Sequence, residues 1–249
     1  MSDLRQVRVV VLGGTGEARV LCALLGRRGV ATVASLAGAT RAPLSYPVPV
    51  RRGGFGGRAG YEAWLDACAP RLVVDALHPF AQTMRARLLD VATTRSEPIL
   101  HLTRPAWRAQ PGDRWTAFAT PCDAAQALPP GAKPLLTIGR KDWQAVSQHI
   151  SQGVLRSIEP VEGLPPTLSW LQDRPPFTLE GELEVMRQMG ITHLMTKNAG
   201  GAQTAAKLHA ARTLGLPVFI VERPRVASPH PRVHSPDAAL AFCDMVLGR

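Results

Sequence analysis

The chain has little lysine, few aromatics, no patterned cysteine and, over one long stretch, no acidic residue. Of its 29 basic residues four are lysine, Lys133, Lys141, Lys197 and Lys207, and 25 are arginine. Aromatic residues make up 5% of the 249 positions, and there is no basic tail, RNP-type stacking motif or zinc-finger spacing. A net charge of +10 demands an anionic partner, but nucleic acid is not the expected one. Cys22, Cys68, Cys122 and Cys243 form no CxxC and have no histidine at ligand spacing. They suggest neither a disulfide framework nor a zinc site and are expected to be small buried hydrophobes. No apolar run approaches the roughly 18 residues that span a bilayer. The opening "MSDLRQ" lacks the basic and apolar regions of a secretion signal. A soluble cytoplasmic protein without a membrane partner is the expectation.

Between those absences the chain alternates short apolar runs with helical periodicity, the pattern of parallel sheets covered on both faces. Strands are expected at 7–13, 30–35, 71–77 and 98–103, with helices at 17–29, 61–69 and 80–95 between them. A second series has strands at 134–139, 154–159, 192–196 and 217–222 and helices at 141–150, 178–190, 202–215 and 236–248. The fold class is therefore α/β, two Rossmann-like parallel-sheet domains with a cleft between them. The boundary is expected near "ALPPGAKP", 127–134, giving domains at 1–128 and 129–249. The two halves also echo each other: "AQT" opens a helix at 81 and at 202, and Arg-Pro follows the next strand at 104 and at 223.

Four segments carry polar chemistry where strands end. In "VVVLGGTGEAR", Gly13, Gly14, Thr15 and Gly16 form a phosphate-type turn whose following helix points free N–H groups at a ligand. Glu17 does not suit a phosphate: a carboxylate beside that charge costs about 3–4 kcal/mol at an effective dielectric of 20. It is expected to cap its helix or to meet ribose hydroxyls. No acid occurs from Ala18 to Tyr61, whereas Arg27, Arg28, Arg41, Arg51, Arg52 and Arg58 do. An NAD site places an acid at the end of the second strand; Ser35 and Arg41 suit a 2′-phosphate, so a dinucleotide here is NADP. The alternative is a basic surface loop.

"DALHPFA" sets His78 at a strand end, as a hydrogen-bond donor or acid, with Asp75 orienting the loop. "TIGRK" offers Arg140 and Lys141. "TKNAGG" offers Lys197, Asn198, Gly200 and Gly201 as a nest for a phosphate or carboxylate, or else a solvated turn. Three of the four lysines fall in these segments or the helix that follows, which suggests that a compact ammonium is wanted there.

These segments in this order, ending in "VERP", resemble the precorrin-6A reductases of cobalamin biosynthesis along nearly the whole chain. Leu77 and Pro176 are less typical of that family. The resemblance implies NADPH-dependent reduction of one double bond of a polycarboxylate tetrapyrrole, precorrin-6A, to give precorrin-6B without flavin or metal. On that reading the first-domain turn and "ASLAGATR" are expected to anchor the cofactor, while Arg140, Lys141, Lys197 and Asn198 are expected to hold substrate carboxylates or developing charge. His78, which can also face the cofactor, or Lys197 would supply the proton if the protein does so. A monomer or weak homo-oligomer is expected. Two other readings stand beside it: a nucleotide-sugar glycosyltransferase of two Rossmann domains, which would need a polar grip on the sugar that is not evident, and a non-catalytic NADP-binding sensor, which would not need the "HPFA" and "TKNAGG" clusters.

Overall fold

Val9–Leu12 is a run of branched and apolar side chains, every one buried, and it forms β1 at the centre of a sheet. The structure is a computed structural model describing residues 6–38 and 44–249. The chain divides into two units, Met1–Pro105 with Arg225–Arg249, and Ala106–Pro224.

In the first unit β1 is followed by α1 (Gly16–Arg27), β2 (Thr32–Leu36), β3 (Val50–Arg52) and α2 (Arg58–Cys68). Then come β4 (Leu72–Asp75), α3 (Gln82–Arg95) and β5 (Ile99–Leu102). The second unit holds β6 (Arg114–Phe118), α4 (Pro121–Gln126), β7 (Pro134–Thr137), α5 (Arg140–Val146), β8 (Gly153–Ser157) and β9 (Leu168–Gln172). It continues with α6 (Leu179–Gln188), β10 (His193–Lys197), α7 (Ala206–Thr213) and β11 (Pro217–Val221). The chain then re-enters the first unit with β12 (Arg232–Val233) and α8 (Pro236–Leu247).

Both sheets have six strands, all parallel, in the orders β3-β2-β1-β4-β5-β12 and β9-β8-β7-β10-β11-β6. Their inner strands read as continuous apolar runs because helices cover both faces. In the first unit Val9 and Val11 pack with Leu21, Cys22 and Leu25 of α1 and Ala239 and Cys243 of α8. Val10 and Leu12 face Tyr61 and Leu65 of α2 and Leu88 and Val91 of α3. Burial pushes the Cys22 and Cys243 thiols up to about 12, so both serve as apolar filling. No helix among the described residues is long and apolar enough to cross a membrane.

The division falls at Pro105 and Pro224, not within 127–134, and α8 belongs to the first unit, not the second. The physical reason is pairing: β6 lies before the expected boundary yet runs parallel to β11 over Arg114–Phe118. Each sheet thus adds a sixth strand to a series of five, β12 after the excursion and β6 immediately before β7. The internal echo is topologically exact in one respect, since both "AQT" segments follow the fourth strand of a 3-2-1-4-5 series. Both Arg-Pro pairs follow the fifth strand, where the chain leaves its unit. The expected helix at 202–215 is a 3-10 turn over Ala202–Thr204 followed by α7.

Candidate active site

Strand order reverses between β1 and β4 in the first unit and between β7 and β10 in the second. Beyond the carboxyl ends of strands at such a reversal neighbouring loops part, and ligands of open α/β sheets bind there. The four segments singled out in the sequence are the four loops at these two positions.

In the first unit Gly14 adopts φ +119°, which a side chain disfavours, and turns the chain from β1 into α1. Thr15 is the N-cap of α1: its hydroxyl accepts from the Ala18 N–H at 3.2 Å and donates to the Ala76 carbonyl at 2.9 Å. It therefore ties the glycine turn to the loop after β4. Thr15→Ala is expected to lower the unfolding free energy by about 1–3 kcal/mol, a lost cap plus one hydrogen bond. Urea denaturation checks this, and Thr15→Ser should retain most of it. Gly16 opens the helix, and Glu17 follows it with its carboxylate 3.1 Å from the Arg104 guanidinium. The cap is thus Thr15, and Glu17 is held in an ion pair with a residue 87 positions away. The Gly13 N–H bonds the Ser35 carbonyl at 2.9 Å, and that of Gly14 bonds the Tyr46 hydroxyl at 3.2 Å. Tyr46 carried no sequence signal. Ser35 is buried within β2, and Arg41 lies outside the described residues.

The loop after β4 is built on Asp75, whose carboxylate is buried between Arg85 of α3, at 2.7 Å, and His101 of β5, at 2.8 Å. Burial pushes its pKa up, but the hydrogen bonds from His101 and Arg85 and the Arg85 charge outweigh that and hold it below the ordinary 3.8. An ionised carboxylate only accepts, so His101 donates from Nδ1, while its Nε2 lies 2.7 Å from the Ser228 hydroxyl. The order Asp75, His101, Ser228 is that of a hydrolytic triad, but the Asp75 charge is already committed to Arg85, and the chain of bonds fastens the returning segment before β12. Arg85 also donates to the carbonyls of Pro79, Leu77 and His78 at 3.0, 3.3 and 3.3 Å. His78 is half-buried, and its Nδ1 accepts from the Phe80 N–H at 3.3 Å. The neutral ring that fits this bond carries its proton on Nε2.

In the second unit Gly139 ends the β7 turn and caps α5, leaving Arg140 and Lys141 exposed on its first turn. Lys197, the last residue of β10, forms an ion pair with Asp142 on that same turn. Thr137 and Thr196 join the two strand ends through their hydroxyls at 2.8 Å. Asn198 is buried, and its amide takes the Trp107 N–H at 2.9 Å and gives to the Trp107 carbonyl at 3.2 Å. This side chain is structural, clamping the start of the unit. Arg223 donates to the carbonyls of Asn198 and Ala199 at 2.7 and 2.8 Å, and the Trp107 indole to that of Gly201 at 3.1 Å. Buried Lys207 lies 5.0 Å from the Trp107 ring. The Arg223 guanidinium gathers carbonyls of this loop, as Arg85 does in the first unit. Gly200 and Gly201 have φ of +68° and +85° and carry the chain into the 3-10 turn.

The family model described as precorrin-6x reductase CbiJ/CobK matches residues 8–244. The chain belongs to the precorrin-6x reductase family. Precorrin-6A reductases of Rhodobacter capsulatus and Rhodococcus erythropolis are 43% and 42% identical to it, over 88% and 87% of this chain and 89% of each relative. A solved structure described as CobK precorrin-6A reductase matches with a TM-score of 0.91 and 38% identity, over 96% of this chain and 97% of that one. Within this reductase fold, sequence reasoning located the four loops. It marked Arg104 and Arg223 only as an echo between the halves and missed Tyr46, His101 and Trp107; the partners of these five residues lie 24 to 127 positions away.

Proposed function

We propose that this member of the family reduces one carbon–carbon double bond of precorrin-6A, with NADPH as reductant, to give precorrin-6B. The observation that carries the reading is what each unit holds at its own strand-order reversal: a glycine turn backed by an acid-free, arginine-rich stretch in the first, and a lysine-bearing nest in the second. The first fits a dinucleotide phosphate on donor chemistry. A Cβ added to Gly13 would lie 3.2 Å from Leu36 Cδ2 and from the Tyr46 hydroxyl, so a side chain there would be tightly packed against its neighbours. No carboxylate lies among the described residues from Ala18 to Tyr61 to repel a 2′-phosphate.

When bound, NADPH supplies the hydride; the protein aligns the partners and provides charge. Gly13, Gly14, Thr15 and Gly16 form the phosphate turn, with the positive end of α1 behind them. Glu17 keeps Arg104 in place beside it. Ser35 shapes the end of β2 from within the sheet, and Arg41 adds charge to the following loop. Lys197, Arg140 and Lys141 take acetate or propionate groups of the macrocycle, and the N–H groups of Gly200 and Gly201 add hydrogen bonds. Asn198 acts by holding that loop. The proton is delivered from Lys197, whose ammonium can give one up, while His78 donates a hydrogen bond from Nε2. A protonated His78 would carry N–H at both nitrogens and lose the bond from Phe80.

The substrate is the cobalt-free macrocycle. Relatives named precorrin-6A reductase are 37–43% identical, whereas those named cobalt-precorrin-6A reductase are 24–32% identical. Titration with NADPH, followed by quenching of tryptophan fluorescence, tests the cofactor half of the proposal; absence of quenching would sink it. For His78→Ala we expect single-turnover hydride transfer slowed by about tenfold or more, the scale of one directed hydrogen bond to a developing charge. An unchanged rate would remove His78 from the reaction.

A further inference from the structure

We propose that the adenosine 2′-phosphate is recognised by Arg52, on a strand that the sequence pattern does not reveal. This rests on the NADPH reading and deepens it. Ser35 is buried, and β2 ends in Leu36 followed by Ala37 and Gly38, none with a charged or polar side chain that could meet a phosphate. The neighbouring strand β3 runs parallel to β2, with Ser35 opposite Arg51 and Leu36 opposite Arg52. The Gly53 N–H bonds the Leu36 carbonyl at 2.9 Å and fixes the two strand ends side by side.

Apart from Arg19, near the start of α1, and Arg41, which lies outside the described residues, the arginines of the acid-free stretch can be taken in turn. Arg27 and Arg28 lie at the far end of α1, and Arg28 faces Asp244. Arg51 gives its guanidinium to the carbonyls of Gly53 and Gly54 at 2.6 and 2.7 Å and stacks 3.8 Å over Phe55. Arg58 is taken by Glu62, Asp90 and Thr94. Arg52 is exposed. Val50 packs against the cluster that contains α1, so Arg52, two residues on, projects from that same face of the sheet. The positive end of α1 and its glycine turn lie on this face at the same edge. A ribose running outward from a pyrophosphate at β1 passes the end of β2 and meets β3 next, about 10 Å from β1 at two strand spacings. A guanidinium there matches a phosphate dianion with paired hydrogen bonds and gives a 2′-hydroxyl far less.

The test is a calorimetric titration with adenosine 2′,5′-bisphosphate and with 5′-AMP as probes, on the wild type, Arg52→Gln and Arg41→Gln. The wild type should prefer the bisphosphate by about tenfold or more, the scale of a charge-assisted pair. Arg52→Gln should lose that preference, bind 5′-AMP as before and melt at the wild-type temperature, because Arg52 is exposed. In turnover the NADPH over NADH ratio of kcat/KM should fall by the same factor. A preference that survives in Arg52→Gln, or is lost in Arg41→Gln alone, overturns the assignment to Arg52 while leaving the NADPH reading intact. A wild type that binds neither probe nor NADPH overturns the cofactor reading instead.

Discussion

Lys197→Met is expected to lower kcat/KM for the macrocycle by about 10- to 150-fold, the worth of one charge-assisted hydrogen bond to a carboxylate. The loss should fall on kcat as well as on KM, because Lys197 both binds the substrate and delivers the proton; a loss confined to KM would remove the second role. In the structure its ammonium is ion-paired with Asp142, so a substrate carboxylate must compete with an internal anion. Asp142→Asn should therefore tighten substrate binding by a few-fold, and the gain should shrink as salt rises. Initial rates at two ionic strengths for both variants decide the matter. A weaker substrate affinity in Asp142→Asn would mean that Asp142 orients Lys197 and does not compete for it. The thermal stability of Lys197→Met should stay near that of the wild type, because the pair is partly exposed and such pairs contribute little.

Arg85→Met is expected to have the largest effect on stability, about 3–5 kcal/mol, because it leaves the Asp75 carboxylate buried without its cation. It also releases the carbonyls of Leu77, His78 and Pro79, so the loop that carries His78 loses its support. The double variant Asp75→Asn/Arg85→Met should be less destabilised than the sum of the single ones, since each single change strands the other partner. The pH dependence has a definite sign. Asp75 titrates below its ordinary 3.8 in the folded chain, so its contribution is complete above that value and is lost as the pH falls through the lower folded value. Asp75→Asn should accordingly flatten the acid limb of the stability curve below about pH 4. Urea midpoints from pH 2 to pH 6 measure both effects, and a cost under about 1 kcal/mol for Arg85→Met would contradict the buried-pair account.

What the sequence made legible follows burial. β1, β4 and β7 are buried strands that read as short apolar runs, and glycines mark the turns after β1, β7 and β10. β3, β6 and β9 are edge strands with half-exposed side chains, and β12 is two residues long. None has a run or an alternation long enough to register. The apolar stripe of α8 announced a packed helix but not which sheet it covers, because Ala239, Cys243 and Leu247 would suit either. Their contact with α1 is a matter of chain routing. The same holds at the site. A glycine turn is a local signal, whereas the pairing of Glu17 with Arg104 and of Asn198 with Trp107 depends on which strands become neighbours. Asn198 therefore read as a ligand contact although both ends of its amide are taken by backbone.

The central claim is that this chain moves a hydride from NADPH to a metal-free corrin precursor, with the glycine turn holding the cofactor and Lys197 the substrate. Mixing the protein anaerobically with NADPH and precorrin-6A, and following absorbance at 340 nm together with the mass of the product, tests it most directly. The expected result is loss of one NADPH per macrocycle and a product two mass units heavier, at a rate that collapses in Lys197→Met. NADPH binding without any oxidation on adding precorrin-6A, under conditions where the protein is folded, would contradict it.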